Sequence, residues 1–564
     1  YIQLVKDSKQ YQNIITSISP HPCAHLVYHM DLREEIGVIR LKPKTGSKEP
    51  QFCVYIDGTT ADSFGYTKSD LLRVDVVKLI NDTFNAIGQD VLSADELVES
   101  VKDDPEIWAL YANGFTMGLN QMEKSKTTQR VMQFKPQNTV ELTAMVAAIR
   151  PGAKSLVDDF VSRTFHSYGI PAMDNMLRLD GATSVTGKSS FLFYDEQVMT
   201  LAKAAGISPA DANLLIKAIK KKKLEKVAKY KEQFIPGFIH YLMEKESVTG
   251  NLAEKTADDV WTVILNSASY LFNASHAYAM CLDSLYGAFL KRHYPYEFYA
   301  TMLKLYTDKG NKEKIALIID EMYRYQNIRL TPGRFGQDNR DWYIDKTKNT
   351  ISQSLSSIKF IPSATAEKLC EIGDRNFNDF TSLLRCLQME TAINKRQIEV
   401  LIKIGYFEQF GKTGKLMAVF TEFFDGKNKL TKTVKSYEKR LTIISQFEQN
   451  QDDINLPIYE RIAAENDFLG LCFSTDRSHC PNEYFILEVD DKYTPKIKLY
   501  NVSKGTSGLV KMSKKNYNHS IIQTGRVVSL EKWSKRPRYL YKNGKRIAIP
   551  DEYELWLESC NIVA

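Results

Sequence analysis

The chain has 564 residues, of which 43% are hydrophobic and 25% are charged, and its net charge is +7. This composition is that of an ordinary globular protein with several domains, and its mild basic excess is compatible with a nucleic-acid partner without being specific for one. The eight cysteines form no Cys-x-x-Cys pair and no apolar run reaches membrane-spanning length, which argues against a structural zinc site, a disulfide framework and a membrane protein.

Short β-type runs and turns make up the first part of the chain. One alternating run ends at Asp57-Gly58, which predicts a strand followed by a turn. His21, His25 and His29 recur at intervals of four. On a helix they could meet as metal ligands, but Pro22 favours an extended run, in which structural or substrate-facing roles are more frequent.

The next feature is an aspartate at the start of a helical pattern. Lys68-Ser69-Asp70 precedes a periodic apolar run from Leu71 to Ile87, which Gly88 closes. From local sequence, Asp70 is either the N-cap of that helix or a carboxylate at a strand-to-helix junction, aimed at a divalent metal.

Residues 93–305 are mainly helical in pattern, and their charge is unevenly distributed. Ser208-Pro209 has the order of an N-cap followed by the first helical residue, and it predicts one helix that continues through a lysine-rich run. Eight lysines lie in that run: Lys217, Lys220, Lys221, Lys222, Lys223, Lys226, Lys229 and Lys231. Such a run is usually a solvated face, although the repulsion between its charges is relieved beside phosphates.

A further helix is predicted up to Arg292, because apolar residues recur at helical spacing until His293-Tyr294-Pro295 ends the pattern. Asn273 or Ser275 is the candidate N-cap. The uncapped N–H groups at such a helix end can bind a phosphate. The alternative is a capped core helix that binds nothing, with His276 as a surface polar residue.

Towards the C-terminus the pattern changes from helices to strands. Residues 355–388 and 392–407 predict helical pairs, and residues 412–455 predict one helix with a polar connector. After Pro481 short β-type runs follow, and the last two are joined through Asn543-Gly544, a strong hairpin pattern.

Basic and aromatic residues interleave around this hairpin. Trp533, Tyr539 and Tyr541 alternate with seven cations, namely Lys532, Lys535, Arg536, Arg538, Lys542, Lys545 and Arg546. The phosphates of a single nucleic-acid strand can meet such charges while its bases stack on the rings. A basic hairpin on a small barrel, with no ligand, is the equally weighted alternative.

Five segments carry a family resemblance. They are Ala-Ala-Ile-Arg-Pro-Gly at 147–152, Tyr-Asp-Glu-Gln-Val-Met at 194–199, Leu-Leu-Ile-Lys-Ala-Ile at 214–219 followed by Lys221–Lys223, Phe-Asn-Ala-Ser-His-Ala at 272–277, and Leu-Lys-Arg-His-Tyr-Pro-Tyr-Glu-Phe at 290–298. In this order they resemble the C-family bacterial or phage replicative DNA polymerase, the alpha subunit of DNA polymerase III. The resemblance runs from about His21 to the end of the chain.

The resemblance implies an α+β, mostly α-helical fold. Residues 1–90 would be the C-terminal part of the palm with the remainder of its sheet, and residues 91–310 the large helical fingers. Residues 311–412 would extend the fingers and include a tandem helix-hairpin-helix-like, clamp-proximal region. Residues 413–480 would be a helical connector and residues 481–564 an oligonucleotide-binding (OB)-like β-barrel.

The resemblance also implies roles for individual residues in template-directed nucleotidyl transfer. Asp70 corresponds to one of three palm carboxylates that hold two catalytic Mg²⁺ ions, which prefer such oxygen ligands. Six residues would contact the incoming dNTP: Lys68, Arg150, Lys217, Asn273, Ser275 and His276. Seven would contact the primer-template DNA: Lys221, Lys222 and Lys223 in the fingers, and Lys535, Arg536, Arg538 and Lys542 in the barrel.

The chain departs from the family pattern in two respects: it lacks two of the three catalytic carboxylates, and it lacks two of the positive charges expected near the triphosphate. No Asp-x-Asp occurs in the chain, whereas the family's palm carries its other two catalytic aspartates as that pair. One carboxylate cannot hold two Mg²⁺ ions, so the pair is expected on a separate chain or an upstream segment, and a start at Tyr1 agrees with both. Ala274 replaces a lysine and Ile216 an arginine, and Lys220 could compensate for the missing charge.

Two interaction motifs are also altered. A Gly-Val-Gly hairpin that normally meets duplex backbone reads Phe-Ile-Pro-Ser at 360–363, which weakens the case for backbone binding there. No close match to a clamp-binding pentapeptide occurs; Ile443–Phe447 comes nearest, so the sliding clamp is only a candidate partner. Such drift suits a phage or mobile-element polymerase acting in the bacterial cytoplasm. A noncatalytic nucleic-acid-binding replisome component that has lost the chemistry is the competing hypothesis.

Overall fold

The computed structural model describes all residues except 1, 10, 12–13, 15–19, 22, 29–30, 42–50, 72–73, 150–153, 180, 183, 268–270, 433–434, 543–544 and 564. The chain divides into two units, Tyr1–Lys78 and Leu79–Ala564.

Two small antiparallel sheets and short helices form the first unit. Its elements are α1 (Ile2–Lys9), β1 (Ala24–Val27), α2 (Leu32–Glu35), β2 (Val38–Leu41), β3 (Gln51–Val54), α3 (Gly58–Ser63) and β4 (Thr67–Asp70). β1 pairs with β4 and β2 pairs with β3. Where a turn was predicted after β3, the chain enters α3 instead, because the Asp57 side chain accepts a hydrogen bond from the Thr60 N–H and caps that helix.

Helices dominate the first part of the second unit. They are α4 (Asp75–Ala86), which begins just before it, α5 (Ala94–Val101), α6 (Pro105–Ala112), α7 (Ser125–Phe134), α8 (Thr139–Ala148), α9 (Lys154–Val161), α10 (Pro171–Met176), α11 (Ser184–Lys188), α12 (Asp195–Ala204), α13 (Pro209–Lys220), α14 (Leu224–Lys245), α15 (Asn251–Ser267), α16 (Ala274–His293), α17 (Pro295–Asp308) and α18 (Lys312–Gln326). Two apolar cores hold most of them. One core joins α5–α9 to α16, and the other joins α12–α15.

A three-stranded sheet and a third helical core follow. The strands are β5 (Arg329–Thr331), β6 (Tyr343–Asp345) and β7 (Thr350–Ser352), and the helices are α19 (Ser363–Gly373), α20 (Phe380–Glu390), α21 (Lys395–Lys403), α22 (Thr413–Phe424), α23 (Tyr437–Gln449) and α24 (Ile458–Phe468), with 3₁₀ turns at Leu355–Ser357 and Glu408–Phe410. Side chains from all six helices share one apolar core, to which Leu369, Leu401, Phe420 and Ile444 contribute.

The C-terminal strands close into a five-stranded barrel. They are β8 (Glu483–Asp490), β9 (Lys496–Asn501), β10 (Thr506–Met512), β11 (Val527–Lys542) and β12 (Lys545–Ile562), in the barrel order β10-β12-β11-β8-β9. Only Val527–Ser529 of β11 pairs with β8. From Lys532 onwards β11 pairs with β12 alone, so Lys532–Lys542 and Lys545–Ser559 form a two-stranded ribbon. Its β12 strand also pairs with β10 at Trp556 and Leu557.

The α+β, mainly helical fold class predicted from the sequence is confirmed, with several small sheets and a closed five-stranded barrel. Several element boundaries differ from prediction. Residues 412–455 contain two helices, α22 and α23, because both have apolar side chains in the third core. The sequence predicted strand-like runs at 484–489, 496–502, 521–530, 539–541 and 546–549. It therefore did not predict β10, and β11 is one continuous strand where the runs at 521–530 and 539–541 were expected to be separate. The predicted domain boundaries after residues 90, 310, 412 and 480 stay predictions.

No helix among the described residues is both long and apolar enough to cross a membrane.

Candidate functional site

The first candidate residue, Asp70, is the last residue of β4. The helix predicted to start at Leu71 begins at Asp75, so Asp70 ends a strand and does not cap that helix. The strand is fixed by pairing with β1, in which Ala24 lies opposite Asp70. The N-cap interpretation of Asp70 is therefore wrong. Its carboxylate is not engaged in capping α4.

Lys68 is the immediate partner of that carboxylate. Residues two apart on a strand share a face, and Lys68 Nζ donates a hydrogen bond of 2.8 Å to Asp70 Oδ2. This bond is the main cause that lowers the pKa of Asp70, and His21 adds a smaller effect of the same sign. Both side chains of the pair are partly exposed. Asp70 is thus an ionised, accessible carboxylate whose charge Lys68 balances.

The neighbouring histidines are engaged locally. His21 Nδ1 accepts hydrogen bonds from the backbone N–H groups of Cys23 and Ala24, and His25 lies in β1. His29 falls outside the described residues. No group of three or more His, Cys, Asp or Glu side chains that could hold a metal ion occurs in the part of the chain that the structure describes.

In the second unit, the N-terminal ends of α12 and α16 meet. Phe272 N donates to Phe193 O and Asp195 N donates to Phe272 O, each at 2.9 Å, so the two chain segments run side by side before each helix. Asn273 is the N-cap of α16, as one of the two predicted alternatives, and accepts a hydrogen bond of 2.8 Å from His276 N.

Glu196 occupies the N-terminal end of α16. Its carboxylate accepts hydrogen bonds from Asn273 Nδ2 at 2.7 Å and from the Ala274 N–H at 2.9 Å. An anionic side chain is favourable at a helix N-terminus because the helix dipole and the free N–H groups are positive there. The sequence suggested a phosphate at this position, but a carboxylate of the same chain already fills part of it.

The predicted side chains at this helix end remain accessible. Asn273, Ser275 and His276 are all exposed, and the His276 ring lies edge-on to Phe272 with ring centroids 5.1 Å apart. Side chains, more than free backbone N–H groups, are therefore what this end of α16 offers to a ligand. Arg150, the other residue implied in triphosphate binding, lies outside the described residues.

Helix α13 brings one lysine, Lys220, to the N-terminal end of α12. Its start is as predicted, with Ser208 as N-cap and Pro209 as the first helical residue. Lys217 is exposed, and one turn later Lys220 Nζ donates a hydrogen bond of 2.7 Å to Asp195 Oδ2. Lys220 was predicted to compensate for the charge missing at Ala274 and Ile216, and this ion pair reduces the charge that it can offer to a ligand. Ile216 is buried in the core, so its side chain does not face solvent.

Lys221, Lys222 and Lys223 form a turn between two helices, where a single helix was predicted. Lys222 has φ of 52°, Lys222 N donates to Ile219 O at 3.0 Å, and Lys223 N donates to Ala218 O at 2.9 Å. This is the Schellman pattern that ends an α-helix, with a lysine in the position usually taken by glycine. All three lysines are exposed, and none forms an ion pair with a described residue.

On the ribbon, acidic residues that the sequence interpretation overlooked neutralise part of the predicted basic patch. Glu558 pairs with Arg536 and Lys532, each at 3.3 Å, and Glu554 lies 4.0 Å from Arg538. The Arg536 guanidinium also stacks over the Trp556 ring at 4.6 Å. These contacts hold Arg536 against β12, so its charge is only partly available. The charge of Arg538 is compensated less, because Glu554 lies at the limit of an ion pair with it and has a closer partner in Lys511, at 2.6 Å.

The other ribbon face is more open. Lys535 Nζ lies over the Tyr553 ring at 4.5 Å, and Trp533 and Tyr553 are 59% and 52% exposed. Asn543-Gly544 lies outside the described residues, but Lys542 and Lys545 on either side of it are paired in register. The aromatic and basic features expected from sequence thus lie on a paired ribbon, with Lys535, Trp533 and Tyr553 on its exposed face.

A buried ion pair anchors the C-terminal end of α16. Lys291 is fully buried, and its Nζ donates hydrogen bonds to Glu321 Oε1 at 2.5 Å and to Phe115 O at 2.7 Å. Glu321 also accepts from the Tyr299 hydroxyl and from Met117 N. Burial lowers the pKa of Lys291 and, with Glu321, raises that of Tyr299. The network fixes the helix that carries Asn273, Ser275 and His276.

Two parts of the chain match models of known protein families. Residues 76–241 match the model of the bacterial DNA polymerase III alpha subunit finger domain, and residues 337–416 match a helix-hairpin-helix motif. The matched finger region contains α12 and α13 with their lysines.

Curated relatives match a larger part of the chain. DNA polymerase III subunit alpha of Campylobacter jejuni is 28% identical over 422 residues, which is 72% of this chain and 34% of that protein. The subunits of Aquifex aeolicus and Staphylococcus epidermidis are 27% and 24% identical over 419 residues, covering 72% and 74% of this chain and 33% and 37% of theirs. The chain thus spans about a third of the length of the curated relatives it matches.

Proposed function

Since the chain is a relative of C-family bacterial replicative DNA polymerases, we propose that it is part of a DNA-directed DNA polymerase, to which it contributes one catalytic carboxylate, the fingers and DNA-binding elements. The observation that carries the proposal is the finger-domain match over residues 76–241, which includes Lys217 and the Lys221–Lys223 turn. The competing function is a noncatalytic DNA-binding component of a replisome.

In this proposal Asp70 is a ligand of catalytic Mg²⁺. A carboxylate of lowered pKa at the end of a strand suits a hard divalent cation. Bound Mg²⁺ neutralises triphosphate charge and favours the ionised primer hydroxyl. Asp70 alone cannot supply the ligands of two ions, so we propose that an Asp-x-Asp pair, absent from this sequence, comes from another chain or segment.

In this proposal Lys68 has one partner before the nucleotide binds and another afterwards. Without a ligand it balances the charge of Asp70, and in the proposed complex it turns to a phosphate of the dNTP. The exposed Lys217, Asn273, Ser275 and His276 are proposed to contact the nucleotide, as is Arg150. Fixed cations and hydrogen-bond donors offset the negative charge that develops on the transferred group.

The DNA contacts are proposed to be divided between the fingers and the barrel. The Lys221–Lys223 turn presents three exposed ammonium groups without carboxylate partners among the described residues, which suits phosphates. On the ribbon, Lys535 beside Trp533 and Tyr553 suits a single strand better than Arg536 and Arg538, whose charges are partly paired. Lys542 is proposed to add to this surface.

Primer extension tests the catalytic part of the proposal. The tagged chain is recovered with its associated polypeptides from its native source and given primer-template, dNTPs and Mg²⁺. We expect extension, and we expect Asp70→Asn to abolish it while the exposed Asp62→Asn control retains it. No extension with intact DNA binding would support the noncatalytic component, and full extension by Asp70→Asn would refute the role of Asp70.

A second pair of variants tests the nucleotide contacts. His276→Ala should raise the KM for dNTP several-fold and leave DNA affinity unchanged, because the ring is exposed at the start of α16. His240→Ala is the matched control, since His240 is an exposed histidine on α14. An unchanged KM for His276→Ala would place the nucleotide elsewhere.

A further inference from the structure

A groove lies within the second unit where the helices approach the barrel. It is bounded by α18, residues 356–359, residues 466–473 and the turn at 504–507, and its volume is about 1120 Å³. Small-molecule pockets are usually about 300–1,000 Å³. The groove therefore has room for an extended chain segment, and it is distinct from the ribbon of β11 and β12.

The charge of the groove is unbalanced towards cations. Lys312, Lys498 and Lys504 line it, and none of them forms an ion pair with a described residue. Its two carboxylates are already paired: Asp467 accepts from Lys359 at 2.7 Å, and Asp320 accepts from Arg324 at 2.8 Å. Three uncompensated ammonium groups around one groove favour an anionic occupant.

Aromatic and polar groups narrow the choice of occupant. Tyr323 lines the groove and is 49% exposed, and the Arg329 guanidinium lies 5.8 Å from the centroid of its ring. The tyrosine ring provides a flat surface on which a nucleobase can stack. Gln353 also lines the groove; it is 2% exposed, and its Oε1 has no hydrogen-bond partner among the described residues. A base amino group can donate to such an oxygen. An acidic peptide would use the lysines but would leave the ring and this amide oxygen unused.

We propose that this groove binds a single nucleic-acid strand, with phosphates at Lys312, Lys498 and Lys504 and a base on Tyr323. The inference rests on the proposed function in taking DNA as the physiological strand. It adds a second strand-binding surface, separate from the ribbon, at the junction between the helical part and the barrel.

The first test measures binding of a fluorescein-labelled oligothymidylate to the full chain by anisotropy over a range of salt concentrations. The variant Lys312→Gln/Lys498→Gln/Lys504→Gln removes the three groove charges. The control Lys255→Gln/Lys427→Gln/Lys439→Gln removes three exposed lysine charges elsewhere, so both proteins have the same net charge.

The groove variant should bind about 10-fold or more weakly than wild type, and the slope of log K against log salt should fall by about 2, since each single-strand phosphate contact contributes about 0.7. The control should keep the wild-type slope. Equal losses in the two variants, or no loss in either, would overturn the groove proposal while leaving DNA binding intact. Failure of the wild-type chain to bind the oligonucleotide would overturn both this inference and the proposed DNA-binding function.

A second test uses the unmodified chain and does not depend on how a variant folds. An oligonucleotide that contains 5-iodouracil is bound and irradiated, and the crosslinked peptides are identified by mass spectrometry. Crosslinks at Tyr323 are expected. Crosslinks confined to Trp533 and Tyr553 would overturn the proposal, as would groove-dependent binding of polyglutamate with no groove-dependent binding of DNA.

Discussion

The buried pair of Lys291 and Glu321 allows a quantitative prediction about the helix that carries the candidate nucleotide residues. Lys291→Met removes the ammonium group but leaves the Glu321 carboxylate, 2% exposed, with only the neutral donors of Tyr299 and Met117 that the structure describes. Breaking a buried ion pair in this way costs roughly 3 to 5 kcal/mol. We expect that loss in the free energy of unfolding of this region.

Hydrogen exchange measures this loss locally, which suits a long chain with several cores. The amides of α16 and of Met117 are followed in wild type and in Lys291→Met. Lys304→Met is the matched control, because Lys304 pairs with Asp341 on the surface and such pairs contribute about 0–1 kcal/mol. The double variant Lys291→Met/Glu321→Met should recover most of the loss, since apolar replacement of both partners is often nearly neutral.

The unfolding free energy of the Glu321→Gln variant, measured as a function of pH, tests the buried ion pair more stringently. Burial lowers the pKa of Lys291 from 10.5, and the Glu321 charge opposes that shift. Without the Glu321 charge the pKa of Lys291 in the folded state falls further. At pH values between this lowered pKa and the ordinary lysine pKa, the unfolded state therefore binds more protons than the folded state. Unfolding free energy then rises with pH. The deficit of Glu321→Gln relative to wild type should shrink between about pH 7 and about pH 10, and a constant or growing deficit would refute the reasoning.

Three further substitutions test local features. Glu196→Ala should weaken the first turn of α16 by about 1–3 kcal/mol, because two donors lose a charged acceptor; faster amide exchange there checks it, and exchange equal to that of the exposed Glu232→Ala control would contradict it. Lys222→Gly should stabilise the chain by about 1 kcal/mol, because φ is 52°, while weakening oligonucleotide binding; a lower melting temperature would contradict the Schellman assignment. Phe360→Gly should raise affinity for duplex DNA several-fold in a gel-shift assay, because a half-exposed ring at φ of 73° stands on the hairpin; unchanged affinity would mean that the hairpin does not approach the duplex.

Features that depend on neighbouring residues were predictable from the sequence. The Ser208-Pro209 start of α13 and the Asn273 cap of α16 are as expected, because a cap is decided by hydrogen bonds across three residues. The lysine run at Lys221–Lys223 was found as a charge cluster, but its break into a turn was not predicted because Lys222 takes a conformation typical of glycine.

Partners distant in sequence were not predictable. Glu196 lies 77 residues before Asn273, and Lys220 lies 25 residues after Asp195, yet each pair is hydrogen-bonded. Glu554 was likewise overlooked as a partner of the ribbon cations. Local periodicity carries no information on which residues of two elements will face each other once the core has packed.

The sequence by itself determined the resemblance to C-family DNA polymerases, the mainly helical composition, the helix caps and the candidate cations, since motifs and periodicity are properties of short segments. Only the tertiary structure decided which charges are free. It paired Lys68 with Asp70 through strand geometry and placed Glu196 at the N-terminal end of α16. It also placed Lys312, Lys498 and Lys504 around one groove, where none has an ion-pair partner among the residues that the structure describes. The physical reason is that the availability of a charge depends on what packing brings within a few ångströms of it.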